Sequence, residues 1–545
     1  MTSSAPHGRA FRPTVMGRRG VVAAAHPLAA MAGIEVLLAG GSAVDAAVAT
    51  SFALHVVEPY MSGPGGVATL LLAHRGRREA LVSAGRMPAA ADPGQVTTED
   101  LRGGPRSAGV PGLVAATLGL HARHGTLPRP KVLAPAIRLA EEGFPLTWKN
   151  CDFIAKARPQ LQLAHSAEAA RTFLPGGALP RPGAVLVQKE LAATLRLLAD
   201  GGAEAFYTGP LARAIAATLE AQGGWITERD LAAYGPTWGE PLAIRYRGDE
   251  VCVPPPPTNA LQALQTLQIL EGFDLRGFGH NSVDYLHHFI EAAKLASADR
   301  VGLDVLRPEA PLAALLAPAY AAARRRLIDP GRAAVSGGER WAPDRLPGEV
   351  LPGHPADFAR EHTTHFAVAD GAGTVVTVTQ TLGSPFGSGV MVPGTGVLLN
   401  NLLMWADLDP RSPAALRAGA PMQTRMAPTQ VFRDGAFLLS IGTPGSYGIL
   451  QTTPQMLLNV LEFGLAMQEA IEAPRVRVYR DRLVDVEGRV PAEVRDGLAA
   501  RGHQVNVIED WSWVVGGGQG IRRDPESGAL QGGADPRRDG YAVAI

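Results

Sequence analysis

An α/β fold is the class that this 545-residue chain predicts, on three observations. Residues 20 to 300 mix strand-like runs with long Ala/Leu-rich stretches at helical spacing, such as Leu113 to His124 and Val132 to Glu142. Stop and start signals separate two early helices: one ends at Gly40-Gly41, and the next opens at Ser42, with Asp45 three residues on completing a capping box. Beyond residue 362 the pattern changes to the period of two of a β-hairpin.

Taken in order, Val36 to Val57 is mostly apolar but contains Gly40, Gly41, Ser42, Asp45 and His55. A charge and a glycine pair are costly inside a bilayer, so the segment predicts two helices of a globular fold and no membrane span. GGWITERDLAAY follows later, ahead of the strand-like PLAIRYRG. Residues 329 to 360 differ from what precedes them. They hold Pro330, Pro343, Pro347, Pro352 and Pro355 with Gly331, Gly337, Gly338, Gly348 and Gly353, a composition that predicts a mobile arm. Then Thr364, Phe366 and Val368 alternate with His365, Ala367 and Ala369. Asp370-Gly371-Ala372-Gly373 supplies a turn, and Val375 to Thr381 a return strand. Thr363 starts the first strand and Thr381 ends the second, so antiparallel pairing makes the two threonines neighbours.

Composition excludes some functions. Lys+Arg and Asp+Glu both number 51, and a net charge of zero argues against a nucleic-acid footprint. Cys151 and Cys252 form no C-x-x-C; buried thiols are expected, with a single disulfide left open. His362 and His365, three apart on a strand, point to opposite faces and predict no metal site. His287-His288 and His121/His124 fall in helix-like runs as surface or packing residues. Gly516-Gly517-Gly518-Gln519-Gly520 imitates a dinucleotide turn, but no helix or acidic residue follows at the right distance, so a loop is expected. Neither a G-x-S-x-G nor a Walker-type G-x-x-x-x-G-K is present, and no cofactor is expected.

The chemistry centres on Thr363-Thr364, which follow the arm directly. That placement suits a chain that cuts itself before Thr363 and then uses Thr363 as an N-terminal nucleophile. A threonine hydroxyl needs a base beside it, and a freed α-amino group on the same residue can serve. An α-amino group titrates near ~8, far below a lysine at ~10.4. An ordinary hairpin is also threonine-rich, because β-branched residues suit strands.

Motifs along the whole chain add to this. GVVAAAHPLAAMAGIEVLLAGGSAVDAAVATSFALHVVEPYMSGPGG, SAGVPGLVAATLGLHARHG and LAPAIRLAEEGFPL occur in that order. EPLAIRYRG, VPPPPTNALQALQTLQILEGFDL, HHFIEAAKLASADR, the Thr363 segment, GTPGSYGILQTTPQMLLNVLEFGLAMQEAIEAPRV and GGADPRRDGYAVAI follow. Together they resemble the γ-glutamyltransferase family of N-terminal nucleophile hydrolases. The resemblance implies an αββα four-layer sandwich. It implies self-cleavage between His362 and Thr363 into a large piece (1–362) and a small catalytic piece (363–545), which form one fold as a heterodimer. It makes Thr363 the nucleophile and Thr381 the threonine that orients it. Gly445 and Ser446 fall where two backbone N–H groups hold the oxyanion. The family more often has two glycines there. Arg18-Arg19 and GVVAAAHPLAA imitate an export signal, yet fall inside the family's opening strand and helix, so they are expected in the mature, cytoplasmic protein.

The departures from the family's pattern all lie in the substrate pocket. Gly383 stands where an asparagine binds substrate. Leu402 and Trp405 replace a glutamine and the aspartate that gathers the glutamyl α-amino group, while Asp407 and Asp409 are out of register. Thr424 and Arg425 replace two serines that bind the α-carboxylate. Ala84 falls where the family has an arginine, with Arg86 two residues away. The expected substrate-binding residues are therefore Arg86, Thr424, Arg425 and Trp405. A polar site that has lost its partners implies another acyl group, and hence an acylase-like amidohydrolase acting on a small-molecule amide. The alternatives are a true γ-glutamyltransferase or glutathione hydrolase, and a non-catalytic descendant acting as a binding subunit.

Overall fold

The computed structural model describes residues 10–302, 310–337 and 362–545, with only the backbone of His362. Fourteen strands build two seven-stranded sheets. They are β1 (Val15–Gly17), β2 (Gly20–Ala24), β3 (Val67–His74), β4 (Arg77–Ser83), β5 (Thr237–Gly239), β6 (Leu242–Tyr246), β7 (Asp249–Val253), β8 (His362–Asp370), β9 (Val375–Gly383), β10 (Thr429–Arg433), β11 (Ala436–Gly442), β12 (Gln519–Arg523), β13 (Leu530–Ala534) and β14 (Tyr541–Ala544). The first sheet has the order β14-β2-β8-β9-β3-β4-β5 and the second β1-β13-β12-β11-β10-β7-β6. Each sheet draws strands from both sides of Thr363.

The helices lie outside the sheets. α1 (Pro27–Leu38), α2 (Ala43–Val57) and α3 (Leu113–His124) cover the first sheet, with α4 (Arg129–Glu142) packed on α2. α5 (Leu261–Leu270) and α7 (Ile449–Leu461) cover the second, with α6 (Val283–Val301) packed on α5. The architecture is thus the αββα four-layer sandwich. Residue size fixes which face of each strand goes where. Phe366, Val368, Val376 and Val378 face the helices, in one core with Phe52 and Leu70. Their alternates Ala367, Ala369 and Val375 face the second sheet, packed with Val21, Leu71, Cys252, Phe432 and Ile521. The small Ala367 and Ala369 of β8 leave room there for Phe432 and Ile521 of the second sheet. Gln430 crosses that gap, donating to the Leu71 and Val375 carbonyls and to Thr377 Oγ1.

Helices α1 and α2 meet with little space: a Cβ added at Gly33 would lie 2.4 Å from Thr50 Oγ1. The two helices fall on either side of Gly40-Gly41, as the sequence predicts, and among the described residues no helix is long and apolar enough to cross a membrane. Cys252 is buried, Cys151 is only half-buried, and both are free thiols. Of the predicted arm, residues 329–337 touch the body: Ala333 N donates to Arg501 O and Ser336 pairs with Asp481. The remainder, 338–360, lies outside the described residues.

The predicted capping box at the start of α2 is present. Buried Asp45 accepts from Ser42 N at 2.8 Å and from Thr126 N at 2.9 Å, and so ties α2 to the turn after α3. Burial pushes the Asp45 carboxyl up, but hydrogen bonds from His121, Thr126 and Ser42 outweigh it and hold the group well below the usual carboxylate range. A depressed folded-state pKa stabilises above the unfolded value near ~3.9 and is lost as pH falls through the folded one. Asp45→Ala should therefore cost about 2–4 kcal/mol at neutral pH, from the lost cap and two orphaned buried donors. A denaturant midpoint equal to wild type would mean that packing alone holds α2.

Candidate active site

The hairpin β8–β9 sets the site. Its ladder runs in register from Thr364↔Gln380 to Ala369↔Val375, then breaks at a bulge before His362↔Gly383. Thr363 sits on that bulge, where the chain leaves the ladder and a side chain can be re-aimed. On its other edge β8 pairs with β2 from Phe366 to Asp370, so the Thr363 end extends past β2. Thr363 and Thr381 are neighbours, as the sequence spacing predicts: Thr363 Oγ1 donates to Thr381 Oγ1 at 3.3 Å. Thr381 Oγ1 is itself fixed by the Gly383 N–H at 2.8 Å.

Two more groups hold this end of β8. Thr364 Oγ1 donates to Glu58 Oε2 at 2.7 Å, and Arg538 Nη1 donates to the Thr363 carbonyl at 3.2 Å. Glu58 caps α2 and is buried. Burial pushes its carboxyl up to about 7, against the Thr364 hydrogen bond and the Arg538 charge. His365, also buried, bonds Thr379 Oγ1 through Nδ1 at 2.8 Å, and burial pushes it down to about 3, so it is neutral.

The Gly442–Ser446 turn emerges beside the same end. A Cβ at Gly442 would lie 2.3 Å from His365 Cε1, so the end of β11 is pressed against β8. Gly445 has φ +133° and Ser446 φ +53°. Ser446 thus adopts the left-handed backbone that favours glycine. Among the described residues, neither the Gly445 nor the Ser446 N–H donates to a protein group. The run Gly516-Gly517-Gly518 backs this turn and is no nucleotide loop. Gly517 N donates to Thr443 Oγ1 at 2.8 Å. A Cβ at Gly516 would meet that oxygen at 2.4 Å, and one at Gly517 would meet Arg538 Cδ at 2.7 Å. The glycines let the turn and Arg538 pack together.

Beyond the turn lies a cage of aromatic and basic groups. The Arg425 guanidinium lies over the Tyr447 ring at 4.4 Å and the Trp405 ring at 5.1 Å, and donates to Tyr447 Oη. Arg425 Nε, Trp405 Nε1, Thr424 Oγ1, Ser446 Oγ and Asn259 Oδ1 are buried without partners among the described residues. Buried polar atoms are normally paired, and such a cluster marks a place that takes a ligand. Arg86 is exposed, with Nη1 on the Gly419 carbonyl at 3.1 Å, and flanks the 419–425 segment from the solvent side. Leu402 and Trp405 join an apolar cluster with Val67, Met87, Met422 and Met426. Asp407 takes the Ser412 hydroxyl and Asp409 pairs with Arg411, so both are engaged locally. Gly383, at φ +100°, has no room for a side chain, since a Cβ would meet Asn401 Oδ1 at 2.3 Å.

The Gamma-glutamyltranspeptidase family model matches residues 29–545. The chain belongs to the γ-glutamyltranspeptidase family. It is 38% identical to the Acylase ACY 1 proenzyme of Pseudomonas sp. (strain V22), over 97% of this chain and 94% of the relative. It is 34% identical to the Glutathione hydrolase proenzyme of Bacillus subtilis (strain 168), over 98% and 93%. The crystal structure of cephalosporin acylase from Bacillus halodurans superposes with a TM-score of 0.89 at 35% identity, covering 100% of this chain and 99% of that one. The γ-glutamyltranspeptidase-family enzymes among these relatives include both acylases and glutathione hydrolases, so membership leaves the acyl group open.

Sequence reasoning missed Glu58, Arg538, Tyr447 and Asn401. Each lies in a motif that carries the family resemblance, but only the folded arrangement shows what it touches. The buried trio His287, Glu291 and His503 also brings ligand-type atoms within 4.8 Å of one another. However, Lys294 Nζ already holds Glu291 at 2.8 Å, and Lys294, Arg482 and Arg501 put positive charge against His503, which opposes a cation. Thr381→Val keeps the shape of the bulge but removes the hydroxyl that both Thr363 and Gly383 use. It should cost only about 1–2 kcal/mol of stability, while slowing both chain cleavage and turnover. Unchanged rates for both steps would remove Thr381 from the site.

Proposed function

We propose that this protein is a self-cleaving amidohydrolase that works through a Thr363 acyl-enzyme, on acyl groups that lack an α-amino group. The Thr363–Thr381 hydroxyl pair, beside the unused N–H groups of Gly445 and Ser446, is the observation that carries the reaction. In maturation, the Thr363 hydroxyl attacks the His362 carbonyl, the peptide bond shifts to an ester, and water opens it. This frees the Thr363 α-amino group. That amine then takes the hydroxyl proton as Thr363 attacks an amide carbonyl. The oxyanion is held by the two N–H groups, each worth about 3 kcal/mol in the transition state. The amine leaves with a proton, and water releases the acid. Strands from both sides of the cut pair with each other in each sheet, which supports two fragments that stay together as a heterodimer.

The substrate class follows from the pocket. An ammonium among Gly383, Leu402 and Trp405 would be buried without partners, which is unfavourable by several kcal/mol. Arg425, wedged between Trp405 and Tyr447, keeps a positive charge for a distal carboxylate or carbonyl, and guanidinium favours paired contact with carboxylates. Arg86 adds charge from the solvent side. Glutaryl-type amides fit this better than γ-glutamyl ones, and the acylase names of two relatives support that choice. The alternative of a true glutathione hydrolase has the named relatives in its favour but no polar head-group site here.

Two measurements decide. Purified protein should run as two pieces, with a new N-terminus at Thr363, and Thr363→Ala should stay whole; an active wild type without that end would refute the mechanism. With anilides of one amine, kcat/KM should favour glutaryl over γ-glutamyl, and Arg425→Ala should raise KM for acidic acyl groups well beyond neutral ones. A clear γ-glutamyl preference would promote the alternative.

A further inference from the structure

Arg538 is a fully buried cation that uses little of its bonding capacity. Nη1 donates to the Thr363 carbonyl at 3.2 Å and touches Met61 Sδ at 3.7 Å. Nε and Nη2 are buried without partners. Its neighbours in the C-terminal turn behave otherwise. Asp535 is clamped by Arg475 and Arg537, and Arg537 also holds Glu487, so the acids there are already neutralised. A buried guanidinium is normally matched by a carboxylate in direct contact. Arg538 makes no ion pair among the described residues; the acidic groups acting on it at longer range are Glu58 and Asp535. Its charge is aimed instead at the backbone of the residue whose α-amino group the reaction needs.

We propose that Arg538 is a positioning residue for the Thr363 α-amino group: it holds the Thr363 carbonyl and, by its charge, keeps the freed amine neutral. This rests on Thr363 acting as an N-terminal nucleophile. The amine nitrogen and carbonyl oxygen of one residue are ~3 Å apart, so the guanidinium lies roughly 6 Å from the amine. A unit charge at roughly 6 Å and an effective dielectric of ~20 lowers an amine pKa by roughly two units. Glu58, behind Thr364, opposes part of that. The other groups facing this end of β8 add little. Burial keeps Tyr60 and His365 uncharged. Asp535 is spent on Arg475 and Arg537, and Asp539 bonds Thr147. Arg425 stacks on Tyr447 and Arg477 packs against Gly448, both residues past Gly445 in the chain. The net effect expected is a fall of about one unit from the ordinary ~8, which makes the amine mostly free base at neutral pH.

The test is the pH profile of kcat/KM for a glutaryl anilide, with full-length matured enzyme and N-terminal sequencing of every preparation. Activity rises as the amine loses its proton, so a higher amine pKa moves the acid limb up. Arg538→Met should move that limb up by about one unit, and Arg538→Lys should leave it near wild type. Glu58→Gln removes the opposing charge and should move it down. A cleaved Arg538→Met enzyme whose activity falls by one factor at every pH, with the limb unmoved, would reduce Arg538 to a structural residue. If Arg538→Met fails to fold or cleave, Arg538→Gln, which keeps a donor for the Thr363 carbonyl but no charge, decides: a limb that does not rise overturns the proposal, and a limb that disappears in Glu58→Gln assigns it to Glu58 and overturns it as well. An active wild type that is uncut would overturn the Thr363 mechanism as well; one cut at Thr363 with unmoved limbs in the variants overturns only the role of Arg538.

Discussion

The structure depends on holding one strand end in place after the chain before it is cut. β8 begins at the proposed cleavage point and has no chain to steady it from that side once cleavage occurs. It is instead bound on both edges, by β9 along nearly its whole length and by β2 over Phe366 to Asp370. Each ladder bond contributes only about 1 kcal/mol net, but together with the buried face of Phe366 and Val368 they leave β8 no freedom to slide. A slip by one residue would put alanines against the helices and large side chains between the sheets. The register that places Thr363 beside Thr381 is therefore set by packing far from the site. The bulge then releases only Thr363 from that ladder, between the His362↔Gly383 and Thr364↔Gln380 pairs.

This explains what was legible in the sequence. The hairpin could be read because its two strands alternate and its turn is rich in Gly and Asp. Yet in β8 the alternation is between large and small apolar residues, and both faces are buried, so the sequence could not say which face met a helix and which met a sheet. The two early helices could be read from local signals, Gly40-Gly41 and the Ser42/Asp45 box, because caps act within a few residues. The contacts that complete the site are not local. Glu58 reaches Thr364, and Arg538 reaches Thr363, across hundreds of residues of sequence. No periodicity encodes such a meeting. The glycine run at 516–518 was legible as a loop but not as the backing of the Thr443–Ser446 turn, since its reason is the space it leaves for Thr443 Oγ1 and Arg538.

The pocket divides in the same way. That a polar head-group site was missing could be read by position: Gly383, Leu402 and Trp405 offer no charged or carboxamide side chain. What fills the space could not. Asn401 turns its Oδ1 to the Ser384 N–H at 2.8 Å and occupies the volume that a side chain at 383 would need. The asparagine expected two residues after the second threonine is thus excluded by packing as well as absent from the sequence. Arg86 and Arg425 were indistinguishable as candidate carboxylate partners by sequence. Burial separates them, because a guanidinium on the surface is screened by water while one between two aromatic rings is not.

The proposed acyl pocket and the proposed oxyanion turn are one piece of structure. Tyr447 is stacked by Arg425 at 4.4 Å and by Arg300 at 4.9 Å, and it directly follows Ser446 in the chain. Ser446 stands at φ +53°, a conformation that costs a non-glycine residue about 1–2 kcal/mol. The ring next to it in the chain is held between two guanidinium groups. In the proposed mechanism, an acyl group seated on Arg425 would therefore pull on the ring that adjoins the proposed oxyanion donors. Correct filling of the pocket is felt at the reacting carbonyl, through two covalently joined residues. On that proposal, discrimination between acyl groups would fall on kcat as well as on KM, because the contact that reads the substrate would also support the transition state.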